Sequence, residues 1–153
     1  MRYAHSEAQK MFRTIGEMQG FRTSSTYKKD LQTDGVWWEE ASLLGNTKIP
    51  FAAIEVVNSE DPKQMKGSLI TLAEVSPALG ILMIHELDIR RRFIRDGKSA
   101  YEIDKLITKK IEDAWTYASR LQQRIDVWSY EQLAYIHSLA TKKKDLIHSK
   151  KFN

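Results

Sequence analysis

The sequence predicts an α/β (α+β) chain: a helix, three strands, a second helix and a fourth strand, then a helical C-terminal half. Three observations carry that prediction. Residues 22–58 are rich in Thr, Tyr, Val, Trp and Ile, with stretches of period-two alternation. The segments flanking them repeat apolar residues every three or four positions. A seven-residue apolar repeat then runs from Ile107 to Trp128. With 153 residues, 42% of them hydrophobic and 29% charged, one domain with an ordinary core is expected. Residues 1–86 would form its α/β part and 87–153 a helical extension.

The elements follow in order. Ala8, Met11, Phe12, Ile15 and Met18 place a helix over Ser6–Met18, with Gly20 as its stop. Two short strands are expected at 22–28 and 34–41, around Asp34-Gly35. That dipeptide also suits a hairpin turn. "LLGNTK" reads as a turn, and "IPFAAIEVVN" as the clearest strand. Its alternation sends Phe51, Ala53, Glu55 and Val57 to one face and Ala52, Ile54, Val56 and Asn58 to the other. Asp61, Pro62 and Gln64 then make a helix start, and Met65, Leu69 and Leu72 its buried stripe. Leu79–Ile84 is a further buried strand. Beyond it come a short helix ended by Gly97, a capping box at Ser99–Glu102, the heptad seam, and a second box at Ser129–Gln132. That second box would open a last helix carrying Leu133, Ile136 and Leu139.

Composition narrows the functions. There are no cysteines, which removes disulfides and thiolate metal sites and fits a reducing, cytoplasmic setting. No secretory h-region opens the sequence, and "PALGILMI" is too short to span a bilayer, so no membrane is expected as partner. The net charge of +4 is uneven. Residues 1–76 hold nine basic against ten acidic residues, and residues 77–153 hold fifteen against ten. Basic clusters at Arg90, Arg91, Arg92 and Arg95, at Lys142, Lys143 and Lys144, and at Lys150 and Lys151 suit a polyanion such as nucleic acid, or equally a solvated surface.

Nucleophilic cysteine chemistry is absent, the four histidines are scattered, and neither common phosphate-cradling glycine loop occurs. Carboxylates remain. Glu55 interrupts the apolar run "FAAIEVV", where an unpaired charge in a core would cost several kcal/mol. It is an exposed edge residue, an ion-pair partner, or a group wanted for chemistry. Asp34 opens the preceding strand, and antiparallel pairing of the two strands would bring both acids within reach of one Mg²⁺ or Mn²⁺, cations that prefer oxygen ligands.

The order helix, strand, strand with "DGVWW", strand with "IPFAAIEVV", helix "PKQMKGSLITLAEV", strand "LGILMI" resembles the PD-(D/E)xK, or restriction-endonuclease-like, nuclease superfamily over about residues 5–86. The resemblance implies a metal-dependent endonuclease that hydrolyses DNA. Asp34 and Glu55 would be its metal ligands, and Glu7 would be similar to the extra helix glutamate of some members. One departure stands out: Val57 occupies the position of the motif lysine. Lys63 or Lys66 on the next helix would have to replace it, with Gln64 as a polar substitute; Glu86, just past the fourth strand, is a further candidate that no spacing requires. The arginine cluster and Lys142–Lys144 would hold backbone phosphate, and a homodimer through the heptad seam would supply two active sites. Two rival expectations stand beside this one. Val57 favours a nucleic-acid-binding protein without catalysis, and the seam favours a helical assembly protein. Trp37 and Trp38 alternate across their strand, so one is expected in the core while the other is free for packing or for stacking on a base.

Overall fold

A five-stranded mixed sheet with helices on both faces organises the chain. The computed structural model describes residues 2–41, 45, 47–58 and 61–149, and side chains within 5–40 and 45–142 of these. In chain order the elements are α1 (Arg2–Met18), β1 (Arg22–Lys28), β2 (Leu31–Ala41), β3 (Thr47–Val57) and α2 (Pro62–Val75). They continue as β4 (Leu79–Ile84), α3 (Glu86–Arg95), α4 (Ala100–Ala118), β5 (Ile125–Ser129) and α5 (Tyr130–Ser149). The strands lie side by side as β1-β2-β3-β4-β5. The first three pair antiparallel, and β3, β4 and β5 pair parallel.

Two parallel connections step in the same direction, β3 to β4 through α2 and β4 to β5 through α3 and α4. The uniform hand of such crossovers puts their helices on one face, and there α2 and α4 pack over Val36, Ala53, Val57, Leu82, Ile84 and Val127. On the other face α1 and α5 cover Ala52, Ile54, Val56, Ile81 and Met83. The strict alternation of β3 from residue 52 onward feeds both layers. β4, covered on both faces, is buried almost throughout and reads accordingly as an unbroken apolar run.

The cap signals form as the sequence implies. Asp61 accepts the Gln64 N–H at 2.9 Å, Pro62 opens α2, and Ser99 and Glu102 close a reciprocal capping box on α4. Ser129 Oγ likewise accepts the Gln132 N–H at the start of α5.

Four expectations are corrected. The heptad seam is not one helix: α4 ends at Ala118, and Ile125 and Trp128 belong to β5. Ile125 and Val127 face the α2–α4 core while Trp128 packs on the α1–α5 side, the period-two signature of a strand. Nor is the second half only a helical extension, since β5 completes the sheet beside β4. Asp34-Gly35 is not a turn; it lies inside β2, and the chain turns at Lys29–Asp30. Phe51 leaves its expected face because a bulge sets Trp37 opposite Ala52 but Trp38 opposite Pro50. Its ring stacks instead on Phe21, which stacks on Trp37. Most of the "LLGNTK" turn lies outside the described residues.

Close docking of α1 on β2 depends on two glycines. A Cβ at Gly35 would come within 2.7 Å of the Phe12 ring, and one at Gly16 within 2.5 Å of the Trp37 ring. With both lacking side chains, the Phe12 and Trp37 rings stack at 4.5 Å, and Trp37 Nε1 donates to the Phe12 carbonyl at 3.0 Å.

Candidate functional site

Where the β2–β3 ladder ends, two carboxyl groups meet. The last paired residues there are Gly35 and Ile54, so Asp34 and Glu55 are the next to face each other. Beyond this point the backbone of each strand serves the other's side chain. The Val56 N–H donates to Asp34 Oδ2 at 2.7 Å, and the Asp34 N–H supports the Glu55 carboxylate. From α1, His5 Nε2 and Gln9 Nε2 both donate to Asp34 Oδ1, at 2.5 and 2.7 Å. Residues four apart on a helix share a face, which is why these two reach one oxygen together. The Asp34 side chain is only 14% exposed.

Glu55 is the more perturbed acid. Burial and then the neighbouring Asp34 charge push its carboxyl up to about 8, outweighing the Asp34 N–H and the Ser68 hydroxyl, which favour ionisation. Its Oε1 is buried and has no hydrogen-bond partner among the described residues. Two carboxyls are therefore held together in a partly dry place, one of them with an oxygen unused.

A second polar cluster sits at the same end of the sheet, where β4 runs into α3. His85 is 2% exposed and caps α3, its Nδ1 accepting the Asp88 N–H at 3.2 Å. The ring stacks on Tyr130 at 4.4 Å, and Nε2 is buried without a partner among the described residues. Burial lowers the His85 pKa against the opposing pull of Asp88, Glu86 and Glu7. Glu86 ties α3 to α5 by accepting the Tyr130 and Glu131 N–H groups at 2.7 and 3.0 Å, a carboxylate at a helix N-terminus where the dipole favours it.

The expected site residues divide accordingly. Asp34 and Glu55 are brought together. Glu7 is on the opposite side of α1 from His5 and Gln9 and hydrogen-bonds Tyr130. Val57 is buried in the core with Met65 and Leu69. Lys63 is exposed in the first turn of α2, and the Lys66 ammonium lies 4.6 Å from the Tyr117 ring centroid, a cation–π contact away from the acids. From α2 it is Ser68 that meets Glu55. Gln64 is exposed, and Glu86 serves α5. Among the basic residues, Arg90 pairs with Asp104 at 2.6 Å, Arg91 lies close enough to feel Tyr130, and Arg92 is half-buried. Arg95 and Lys142 are exposed. The side chains of Lys143 and Lys144, and all of Lys150 and Lys151, lie outside the described residues.

Both tryptophans are occupied: Trp37 in the α1 core, and Trp38 stacked on Tyr27 with Nε1 donating to Ser24 Oγ at 2.8 Å. His5, Gln9, Ser68, His85 and Tyr130 were not singled out by sequence. Their signals are slight: a polar pair at four-residue spacing beside an apolar stripe, a serine within the Met65–Leu69 turn, and a histidine ending a buried strand. No group of three or more His, Asp or Glu is arranged to share one ion among the described residues. Nor is any described helix long and apolar enough to cross a membrane. Compared with models of protein families and with curated proteins, the chain matches none.

Proposed function

We propose that this chain is a metal-dependent nuclease of restriction-endonuclease-like architecture, hydrolysing phosphodiester bonds in DNA. The observation that carries the reading is the meeting of Asp34 and Glu55 where β2 and β3 part, with Glu55 Oε1 buried and without a partner among the described residues. Burial and the neighbouring Asp34 charge raise the cost of ionising Glu55, and a divalent cation between the two carboxyls reverses that cost. Two carboxylates suffice for Mg²⁺ or Mn²⁺, because Mg²⁺ keeps several waters and takes one or two protein carboxylates. When bound, such an ion lowers the pKa of a water and stabilises charge on the phosphodiester. The chain's own part is to present the Asp34 and Glu55 oxygens from β2 and β3 and to hold Asp34 by hydrogen bonds from α1 and β3. The order α1, three strands, α2, β4 supports the architecture, being the order on which the resemblance rests. Exposed Arg91, Arg95 and Lys142 offer salt-sensitive phosphate contacts.

Val57 favours a second reading. The motif lysine position is filled by a core valine, and Lys66 is engaged with Tyr117. A binding protein of the same architecture, without catalysis, would be built this way.

Cleavage of supercoiled, linear and branched DNA with Mg²⁺, Mn²⁺ or EDTA separates the two. Binding is scored on the same samples beside Asp34→Asn and Glu55→Gln. The nuclease reading expects metal-dependent cutting that both variants lose while still binding. Binding without cutting under any metal selects the second reading, and neither binding nor cutting removes both.

A further inference from the structure

We propose that His5 and Gln9 are positioning residues of the acidic site: together they hold the Asp34 carboxylate so that Oδ2, the oxygen turned toward β3, is the one left to a cation. This rests on the reading of Asp34 and Glu55 as a cation site, and it deepens that reading by assigning α1 a share in it.

A carboxylate oxygen accepts about two hydrogen bonds. Asp34 Oδ1 receives two, from His5 and Gln9, and is filled. Oδ2 receives one among the described residues, from the Val56 N–H, and keeps capacity for another ligand. Across the strand boundary, Glu55 Oε1 has no hydrogen-bond partner among the described residues. One acceptor on each acid is therefore available, at adjoining positions of β2 and β3. Repulsion between the acids would turn Asp34 away from Glu55, and two N–H donors drawn toward Oδ1 resist that turn.

The arrangement is built into the local sequence. His5 and Gln9 stand beside Ala8 and Phe12, which bury α1 against the sheet, so their side chains are carried to the end of β2 by core packing. Gly35, next to Asp34, removes the side chain that would hold α1 off. Glu7 points to Tyr130 instead, so the α1 contribution at Asp34 comes from these two N–H donors and not from a third acid.

The test is Mn²⁺ affinity of the full chain, measured by calorimetry, with thermal unfolding recorded on every sample. Gln9→Met keeps length and helix propensity but removes the donor, and His5→Phe keeps a ring. His5→Gln restores an N–H donor. Outer-sphere partners of metal ligands typically govern affinity by about tenfold or more. The expected result is an approximately tenfold weaker Mn²⁺ dissociation constant in Gln9→Met and in His5→Phe, with His5→Gln returning toward wild type. Equal affinity in wild type, Gln9→Met and His5→Phe, with only the unfolding temperature lowered, would make the donors purely structural and overturn the inference while leaving the site standing. Absence of Mn²⁺ binding by the wild type, or binding unchanged in Asp34→Asn with Glu55→Gln, would remove the site itself.

Discussion

Glu55 is the residue whose environment asks most of the fold. Its carboxyl ordinarily titrates near 4.5 and is pushed up to about 8. Between those values the folded chain keeps a proton that the unfolded chain has released, so this group's contribution to stability falls as pH rises across the interval. Glu55→Gln removes the effect. Its stability relative to wild type should rise from little difference near pH 4.5 to a gain of about 1–3 kcal/mol above pH 8, discounted from the full shift because the side chain is still partly solvated. Urea unfolding at the two pH values checks it, and a pH-independent difference would contradict it. His85 has the opposite sign. Its folded pKa lies below the ordinary 6.5, so below 6.5 the unfolded chain gains a proton first and stability is lost as pH falls. His85→Asn retains an acceptor for the Asp88 N–H but does not titrate. It should flatten the stability profile on the acid side of 6.5, read from urea midpoints.

At the scale of elements, the parts that local chemistry decides were legible in the sequence. The capping residues of α2 and α4 act through neighbours three residues away, and the strand Leu79–Ile84 is a bounded apolar run. β5 was not legible. Ala118, Leu121, Ile125 and Trp128 continue a heptad spacing, no Gly or Pro marks the end of α4, and only pairing with β4 makes Ile125–Ser129 a strand. Phe51 was misplaced for a related reason, because a bulge is set by the partner strand. In the site, Glu55 was legible as a charge out of place in an apolar run, and Asp34 as an acid on the neighbouring strand. His5, Gln9 and Ser68 were not, since their roles exist only once α1 and α2 dock. That docking can be probed at Gly16. A methyl there would meet the Trp37 ring at 2.5 Å, and Gly16→Ala should destabilise by about 1–3 kcal/mol despite improving helix propensity. A neutral or stabilising effect in thermal unfolding would show that α1 can rise off β2 without cost.

Across the whole molecule, the two proposed cation ligands lie on β2 and β3, while the exposed Arg91 and Arg95 lie on α3. Under the proposed reading, DNA affinity should fall steeply with salt. Arg91→Ala with Arg95→Ala should weaken it by about tenfold and reduce the salt dependence, because both are exposed. Arg90→Ala should do less, since Arg90 already pairs with Asp104. Equal effects in a filter-binding titration would show that the ion pair opens on binding. Under the same reading, Asp34 and Glu55 form one cation site. Calorimetry of Mn²⁺ binding at about pH 7, in buffers of different ionisation enthalpy, tests it directly, because Glu55 is mostly protonated there and must release its proton to coordinate. The prediction is binding coupled to release of close to one proton, with both the binding and the release lost in Glu55→Gln. Binding of Mn²⁺ with no proton released, or unchanged in Glu55→Gln, would place the cation elsewhere and contradict the account.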